Sequence, residues 1–211
     1  ARAVWDYAAS CGASFDRVAV EKLELGGQKP TAQLAGGTLV EADKIIIAAG
    51  AWSTKLLKTA SRLKIPLDTE RGYNTTLPAS AFDLKRQLIF SSHGFVITPL
   101  ENAVRVGGAV EFAGLDAAPN YARAEAMLKK ATVFLPGLDP SGGSQWMGFR
   151  PSLPDSLPVM APLPDRKDVI LAFGNGHLGL TQSAAMGRLT RDLVTGDNPA
   201  FDLAPLAADR F

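Results

Sequence analysis

Hydrophobic and polar positions change period several times along the chain, and each change marks an element. Val4, Tyr7, Ala8 and Cys11 fall at helical spacing, and Gly12 can end that helix. Three short strand candidates follow, Val18 to Leu25, Thr31 to Leu34 and Thr38 to Val40. Gly26-Gly27 and Gly36-Gly37 separate them, as in a β-meander. Lys44 to Ala48 is a continuous apolar run, expected of a strand covered on both faces. Gly50-Ala51-Trp52-Ser53 then turns into a helix carrying Leu56, Leu57 and Ala60.

From Pro66 the period becomes that of antiparallel β. Arg71 to Leu77, Gln87 to Phe90, Gly94 to Pro99 and Val104 to Glu111 alternate, with Glu101-Asn102 as the clearest turn. Tyr121 to Leu135 is predicted helical, with Tyr121, Ala124, Leu128, Ala131 and Leu135 on one face and Pro136-Gly137 as its stop. Gln145 to Phe149 is a strand candidate leading to Arg150-Pro151. Pro151, Pro154 and Pro158 hold the next segment extended. The chain closes with a buried strand (Val169 to Phe173), a glycine-rich turn and an amphipathic helix. That helix aligns Ala185, Leu189 and Leu193, turns Arg188 and Asp192 away from them, and ends at Gly196.

The predicted class is therefore α/β (α+β) in two domains. Residues 1–65 and 151–211 form a discontinuous one and residues 66–150 an antiparallel sheet with one helix, leaving a cleft between them for a ligand. Gly174, Gly176 and Gly179 spell G-x-G-x-x-G, but a dinucleotide fingerprint opens a βαβ unit. The tail NPAFDLAPLAADRF offers no second strand with the required acid. The first N–H groups of the closing helix still lack carbonyl partners and favour a partially negative group; close helix–strand packing explains the glycines equally well. Gly50 permits backbone to approach a ligand, or simply makes a strand-to-helix turn.

Composition narrows the function. The 211 residues are 46% hydrophobic and 20% charged with net charge +1, ordinary for a globular protein. No Lys/Arg run exceeds a pair, which argues against a nucleic-acid partner. The apolar stretch Ile45 to Trp52 is too short to span a bilayer. One cysteine, Cys11, excludes an internal disulfide and fits a reducing compartment. The expected location is the cytoplasm, with attachment to the inner face of the membrane as the alternative. One Cys and two His cannot build a usual zinc site, so no metal is expected. The chain starts at Ala1, already in helical pattern, and is expected to be the later part of a longer polypeptide.

Five segments together carry a resemblance along nearly all of the chain. ADKIIIAAGAWS, GFRPSLPDSLPVMAPLP and AFGNGHLGLTQSAAMGRLTRDLVTG resemble, in that order, a flavin segment, a substrate-arginine segment and a closing flavin loop; RGYNTTLP and VGGAVEFAGLD are weaker matches. They resemble the C-terminal half of the FAD-dependent D-amino-acid oxidase and dehydrogenase superfamily. That resemblance implies part of a Rossmann-like FAD domain, joined to an antiparallel-sheet substrate domain. It also implies oxidative deamination by hydride transfer from a substrate α-carbon to flavin, giving a 2-oxo acid and ammonia.

Arg150 would hold the substrate carboxylate, because a guanidinium fork pairs with it bidentately; the alternative is a salt-bridged residue with Asp155 as mate. Tyr73 and His93 are the other candidates for the substrate cleft. Val20, Ala49, Gly50, Trp52, Gly174, Gly176, His177, Leu178, Gly179, Leu180 and Thr181 would meet the FAD. In that loop the helix dipole would favour the reduced ring, and His177 would add its side chain or merely pack. The family's first dinucleotide motif lies in an N-terminal half absent here, so that half is an expected partner, and the family's usual His is Asn175. The electron acceptor would be oxygen or a quinone. A flavoenzyme for N-methyl amino acids or 2-hydroxy acids, and a non-catalytic fragment without flavin, are the alternatives.

Overall fold

The structure, a computed structural model, describes residues 2–211. The apolar run becomes β4 (Ile45–Ile47) and the closing strand becomes β11 (Arg166–Phe173). They pair in parallel, with Val169 opposite Ile45 and Leu171 opposite Ile47. Val169, Ile170 and Leu171 are fully buried, as a central apolar strand should be. β4 departs from expectation: Ile47 is buried but Ile46 is 47% exposed, so one face lies open.

β10 (Val159–Leu163) runs antiparallel along the other side of β11. The prolines suggested only an extended segment there. Leu163 opposite Arg166 instead closes a tight hairpin at Pro164-Asp165, residues suited to a turn. Pro162 is tolerated because β10 is an edge strand.

The meander forms as expected from β1 (Val20–Glu24), β2 (Thr31–Leu34) and β3 (Leu39–Glu41), all antiparallel. The helix after Gly50 is short, α2 (Ser53–Leu57), and Leu57 drops into a core with Leu23, Ile47, Val159, Leu171 and Phe173. α1 (Arg2–Ser10) buries nothing: Val4 is 73% and Tyr7 71% exposed.

The closing helix, α4 (Gly179–Thr195), ends as its sequence demands, with Gly196 at φ 80° and its N–H on the carbonyl of Asp192. Its packed face is rotated from the expected one. Leu189 and Asp192 are buried and Ala185 is exposed, because the helix meets β10 and β11 on the face of Leu189 and Thr190, whose hydroxyl reaches Met160 on β10. Arg191 folds back to bond the Asp192 carboxylate, which makes that burial tolerable. Among the described residues no helix is long and apolar enough to cross a membrane.

A five-stranded antiparallel sheet follows, in the order β6-β7-β8-β5-β9. Its strands are β5 (Asp68–Pro78), β6 (Leu88–Phe90), β7 (Phe95–Leu100), β8 (Ala103–Phe112) and β9 (Ser144–Ser152). α3 (Ala122–Phe134) covers one face over a core of Leu77, Ile97, Val104, Val106 and Ala131. Alternation along β5 turns Arg71, Tyr73 and Leu77 towards α3 and the loop before it. Glu70, Gly72 and Asn74 therefore face the other way.

On the α3 side, buried Arg71 donates to the carbonyls of Gly114 at 2.7 Å, Ala117 at 2.6 Å and Ala118 at 3.3 Å. Tyr73 donates to Glu111 Oε2 at 2.5 Å and accepts from the Asn120 N–H at 3.0 Å. The Tyr73 hydroxyl, then Arg123 and Arg71, hold the Glu111 carboxyl below its ordinary range against the cost of burying it. Tyr73→Phe removes a donor and an acceptor from this cluster. The expected cost is about 1–2 kcal/mol, a fall in Tm of about 2–8 °C by thermal unfolding.

Candidate functional site

β4 and β11 end at the same edge of their sheet, where ligands settle in open α/β folds. From β4 the chain passes Ala49 into a single 3-10 turn, Gly50–Trp52, with Gly50 at φ 55°. From β11 it passes Gly174 at φ 88°, where a Cβ would also fall 2.5 Å from Leu153. The Gly176 N–H donates to the carbonyl of Pro151 at 2.8 Å. Leu178 N–H bonds Asn175 O and Gln182 N–H bonds Leu178 O; among the described residues no backbone acceptor serves Gly179, Leu180 or Thr181. Three donors of α4 therefore point outward, with the positive end of its dipole behind them. Asn175, in place of the histidine expected by resemblance, ties the loop to the helix through Gln182 Oε1 at 2.8 Å. Leu180 is 91% exposed and Leu178 is exposed beside it.

Arg150 lies on β9 directly opposite Glu70. Its guanidinium rests flat on Gly72: a Cβ there would fall 2.2 Å from both Nη1 and Nη2. Nη1 is buried without a hydrogen-bond partner. The alternative mate, Asp155, is occupied elsewhere. Arg210 bonds both its oxygens, at 2.7 and 3.2 Å, and holds its carboxyl below the ordinary range. Arg150 thus makes no ion pair through Asp155, while the Glu70 carboxylate lies near enough to feel its charge.

Glu70 links this arginine to the loop, its Oε2 standing 2.5 Å from His177 Nε2. Burial pushes the Glu70 carboxyl up, but the His177 and Ser152 hydrogen bonds and then the charges of His177 and Arg150 together hold it below its ordinary range. The Gly176–Pro151 bond ties β9 to the loop and the Glu70–His177 contact ties β5 to it, around a cavity of about 140 Å³. A folded carboxyl held low lends stability above its unfolded pKa and loses it as pH falls through the folded value. Glu70→Gln is therefore expected to lower Tm near neutrality and to lose less of it on acidification than the unaltered protein, measured by thermal melts across pH.

Of the other sequence-predicted residues, Val20, Ala49 and Trp52 line one groove of about 930 Å³ with Phe15, Ile46 and Leu56. Trp52 is 46% exposed and meets Phe149 edge-on at 5.2 Å, joining the groove to β9. Tyr73 and His93 are not brought to Arg150. Tyr73 is fully buried on the opposite face of the sheet. His93 sits on a 3-10 turn against Phe134, at 4.6 Å between rings, and its carbonyl accepts from Lys130. Sequence reasoning passed over Glu70 and Gly72. The signal was period-2 alternation: if Arg71 and Tyr73 face the core, their neighbours face the cleft. No group of three His, Cys, Asp or Glu suited to a metal occurs among the described residues.

The residues fit part of an FAD site. An open apolar groove suits a flat aromatic ligand, and a helix terminus with free donors suits a ring edge that gains negative charge. Comparisons with known proteins agree. Residues 1–193 match the DAO family model, FAD dependent oxidoreductase. The chain is 34% identical over 213 residues to a D-amino-acid oxidase of Bradyrhizobium diazoefficiens, covering 99% of this chain and 50% of that protein. It is 29% identical over 195 residues to a D-amino acid dehydrogenase of the same organism, covering 91% and 46%. The crystal structure of glycine oxidase from Geobacillus kaustophilus superposes with a TM-score of 0.84 at 26% identity, covering 97% of this chain and 55% of that one. The chain thus spans about half the length of the relatives it matches. With a family model matched over most of its length, the chain belongs to the FAD dependent oxidoreductases of the DAO family.

Proposed function

We propose that the protein carrying this chain oxidises D-amino acids, with FAD as acceptor, to 2-oxo acids and ammonia. In this reading residues 1–65 and 151–211 belong to the flavin side and residues 66–150 to the substrate side. The observation that carries it is Arg150, with Nη1 buried and unpartnered, on the face that Glu70 and His177 tie to the Gly174–Thr181 loop. Relatives described as D-amino-acid oxidase and D-amino acid dehydrogenase support the substrate class.

Bound FAD supplies the two-electron oxidation of the substrate Cα–N bond. The chain's own residues position the reactants. Arg150 fixes the carboxylate by a bidentate pair, which leaves the α-carbon little freedom to turn. The outward N–H groups of Gly179, Leu180 and Thr181 would help to hold the flavin and would favour negative charge on the part of it that they face. The glycines at 72 and 174 let guanidinium and backbone come close. Water then hydrolyses the released imino acid.

The test is anaerobic mixing of the flavin-loaded protein with D-alanine, L-alanine, N-methylglycine and D-lactate. Rapid loss of flavin absorbance with D-alanine is expected. Faster bleaching by N-methylglycine or D-lactate, or none by any of the four, overturns the reading. Re-oxidation by air or by a soluble quinone then identifies the acceptor.

Gly72→Ala tests the seat of the arginine. The new methyl would collide with the movable end of Arg150, so the guanidinium shifts while the strand stays. A roughly 100-fold loss in kcat/KM with flavin content retained is expected, since small misplacements of a positioning group are costly.

A further inference from the structure

Glu70 on β5 and Arg150 on β9 are directly opposite on the antiparallel ladder, so both stand on the side away from α3. Side chains so placed start from Cβ atoms about 5 Å apart, and an acid facing an arginine there is set to close into an ion pair. These two do not. Among the described residues the one ion pair of Glu70 is with His177, and Arg150 has none.

Two features keep the charges apart. Gly72 has no side chain, and the Arg150 guanidinium lies over it, one step along the ladder from Glu70. His177, exposed on the closing loop, draws the half-buried carboxylate the other way, with Nε2 2.5 Å from Oε2. An ionised carboxylate only accepts hydrogen bonds, so Nε2 carries the shared proton, and the neutral ring can hold the acid as the charged one does. The charges that act on the Glu70 carboxyl are those of His177 and Arg150, and Ser152 beside it is neutral.

An arginine paired within the chain must give up that pair before it takes a substrate acid. Apparent affinity scales with the fraction of molecules in the competent state, so pairing in about nine molecules of ten weakens binding about ten-fold. The contact between Glu70 and His177 removes this competitor.

We propose that His177 is a positioning residue that holds the Glu70 carboxylate off Arg150 and so leaves the guanidinium to the substrate carboxylate. It acts through Glu70, and the role rests on the reading of Arg150 as the carboxylate anchor. The signature is conditional: loss of His177 harms the site only while residue 70 is an acid.

Calorimetric titration of the flavin-loaded protein with propionate reads this, with KM for D-alanine beside it, at equal flavin content throughout. His177→Ala is expected to weaken propionate about ten-fold and to raise KM in step. Glu70→Gln should bind propionate at least as tightly as the unaltered protein, since no anion is left beside the guanidinium. The double variant should bind as Glu70→Gln does, a rescue that a merely structural role for His177 would not give. His177→Gln, which keeps a donor for the carboxylate, should retain most of the affinity. Tm and flavin absorbance show that each variant is folded, and His177→Val replaces His177→Ala if the latter is not.

Affinity unchanged in His177→Ala, or weakening that persists in the double variant, overturns the inference. Arg150→Ala separates it from the reading beneath it. If that variant binds propionate as the unaltered protein does, Arg150 is not the anchor and the role of His177 falls with it. If Arg150→Ala loses binding while His177→Ala keeps it, only the role of His177 falls. Should D-alanine not be oxidised, the propionate affinities decide by themselves.

Discussion

Arg150→Ala is expected to lower kcat/KM by about 30-fold to several thousand-fold, the equivalent of about 2–5 kcal/mol for truncating one partner of a buried charge pair. The flavin content and Tm should stay close to those of the unaltered protein. The asymmetry follows from the wiring of the side chain. Nη1 has no acceptor among the described residues, so its removal orphans no carbonyl there. Glu70 keeps its bond to His177. Arg150→Lys keeps the charge but not the fork, and should fall between the two. Steady-state kinetics with a flavin spectrum on the same sample check this; near-normal turnover of Arg150→Ala removes it from the role.

Arg71→Ala should do the reverse. Arg71 and Arg150 stand on opposite faces of one sheet, but Arg71 is buried and each of its three guanidinium nitrogens has a carbonyl acceptor. Its loss strands three carbonyls and leaves Glu111 with only Tyr73 and Arg123. Breaking such a buried pair costs about 3–5 kcal/mol, or about 6–20 °C in Tm for a chain of this size. Thermal unfolding measures it. A variant that melts with the unaltered protein would show that the loop from Gly114 to Asn120 is held by something else.

The contrast explains what the sequence could and could not reveal. Local signals were reliable where one residue decides a conformation: Gly196 ends α4, Glu101-Asn102 turns β7 into β8, and the glycine pairs part the meander. Facing is a different matter, because register and tertiary packing decide it. Tyr73 looked like a cleft residue by its chemistry, yet pairing across β5 turns it to the core and gives the cleft to Glu70 and Gly72. The same non-local rule rotated α4, so that Asp192 is buried with Arg191 folded onto it while Ala185 is exposed. Segments that need a partner to be recognised, such as β10, were read only as extended. Asp155 as the mate of Arg150 was chemically sound, but Arg210, far along the chain, reaches it first.

The neighbourhood of Arg150 and the closing loop is the centre of the account. The most direct measurement of it is titration of the flavin-loaded protein with a simple carboxylate such as propionate, followed by visible absorbance. Saturable perturbation of the flavin bands is expected in the unaltered protein and its loss in Arg150→Ala at equal flavin content. Identical perturbation in both, or none in either, would contradict a site in which this guanidinium holds an acid against the ring.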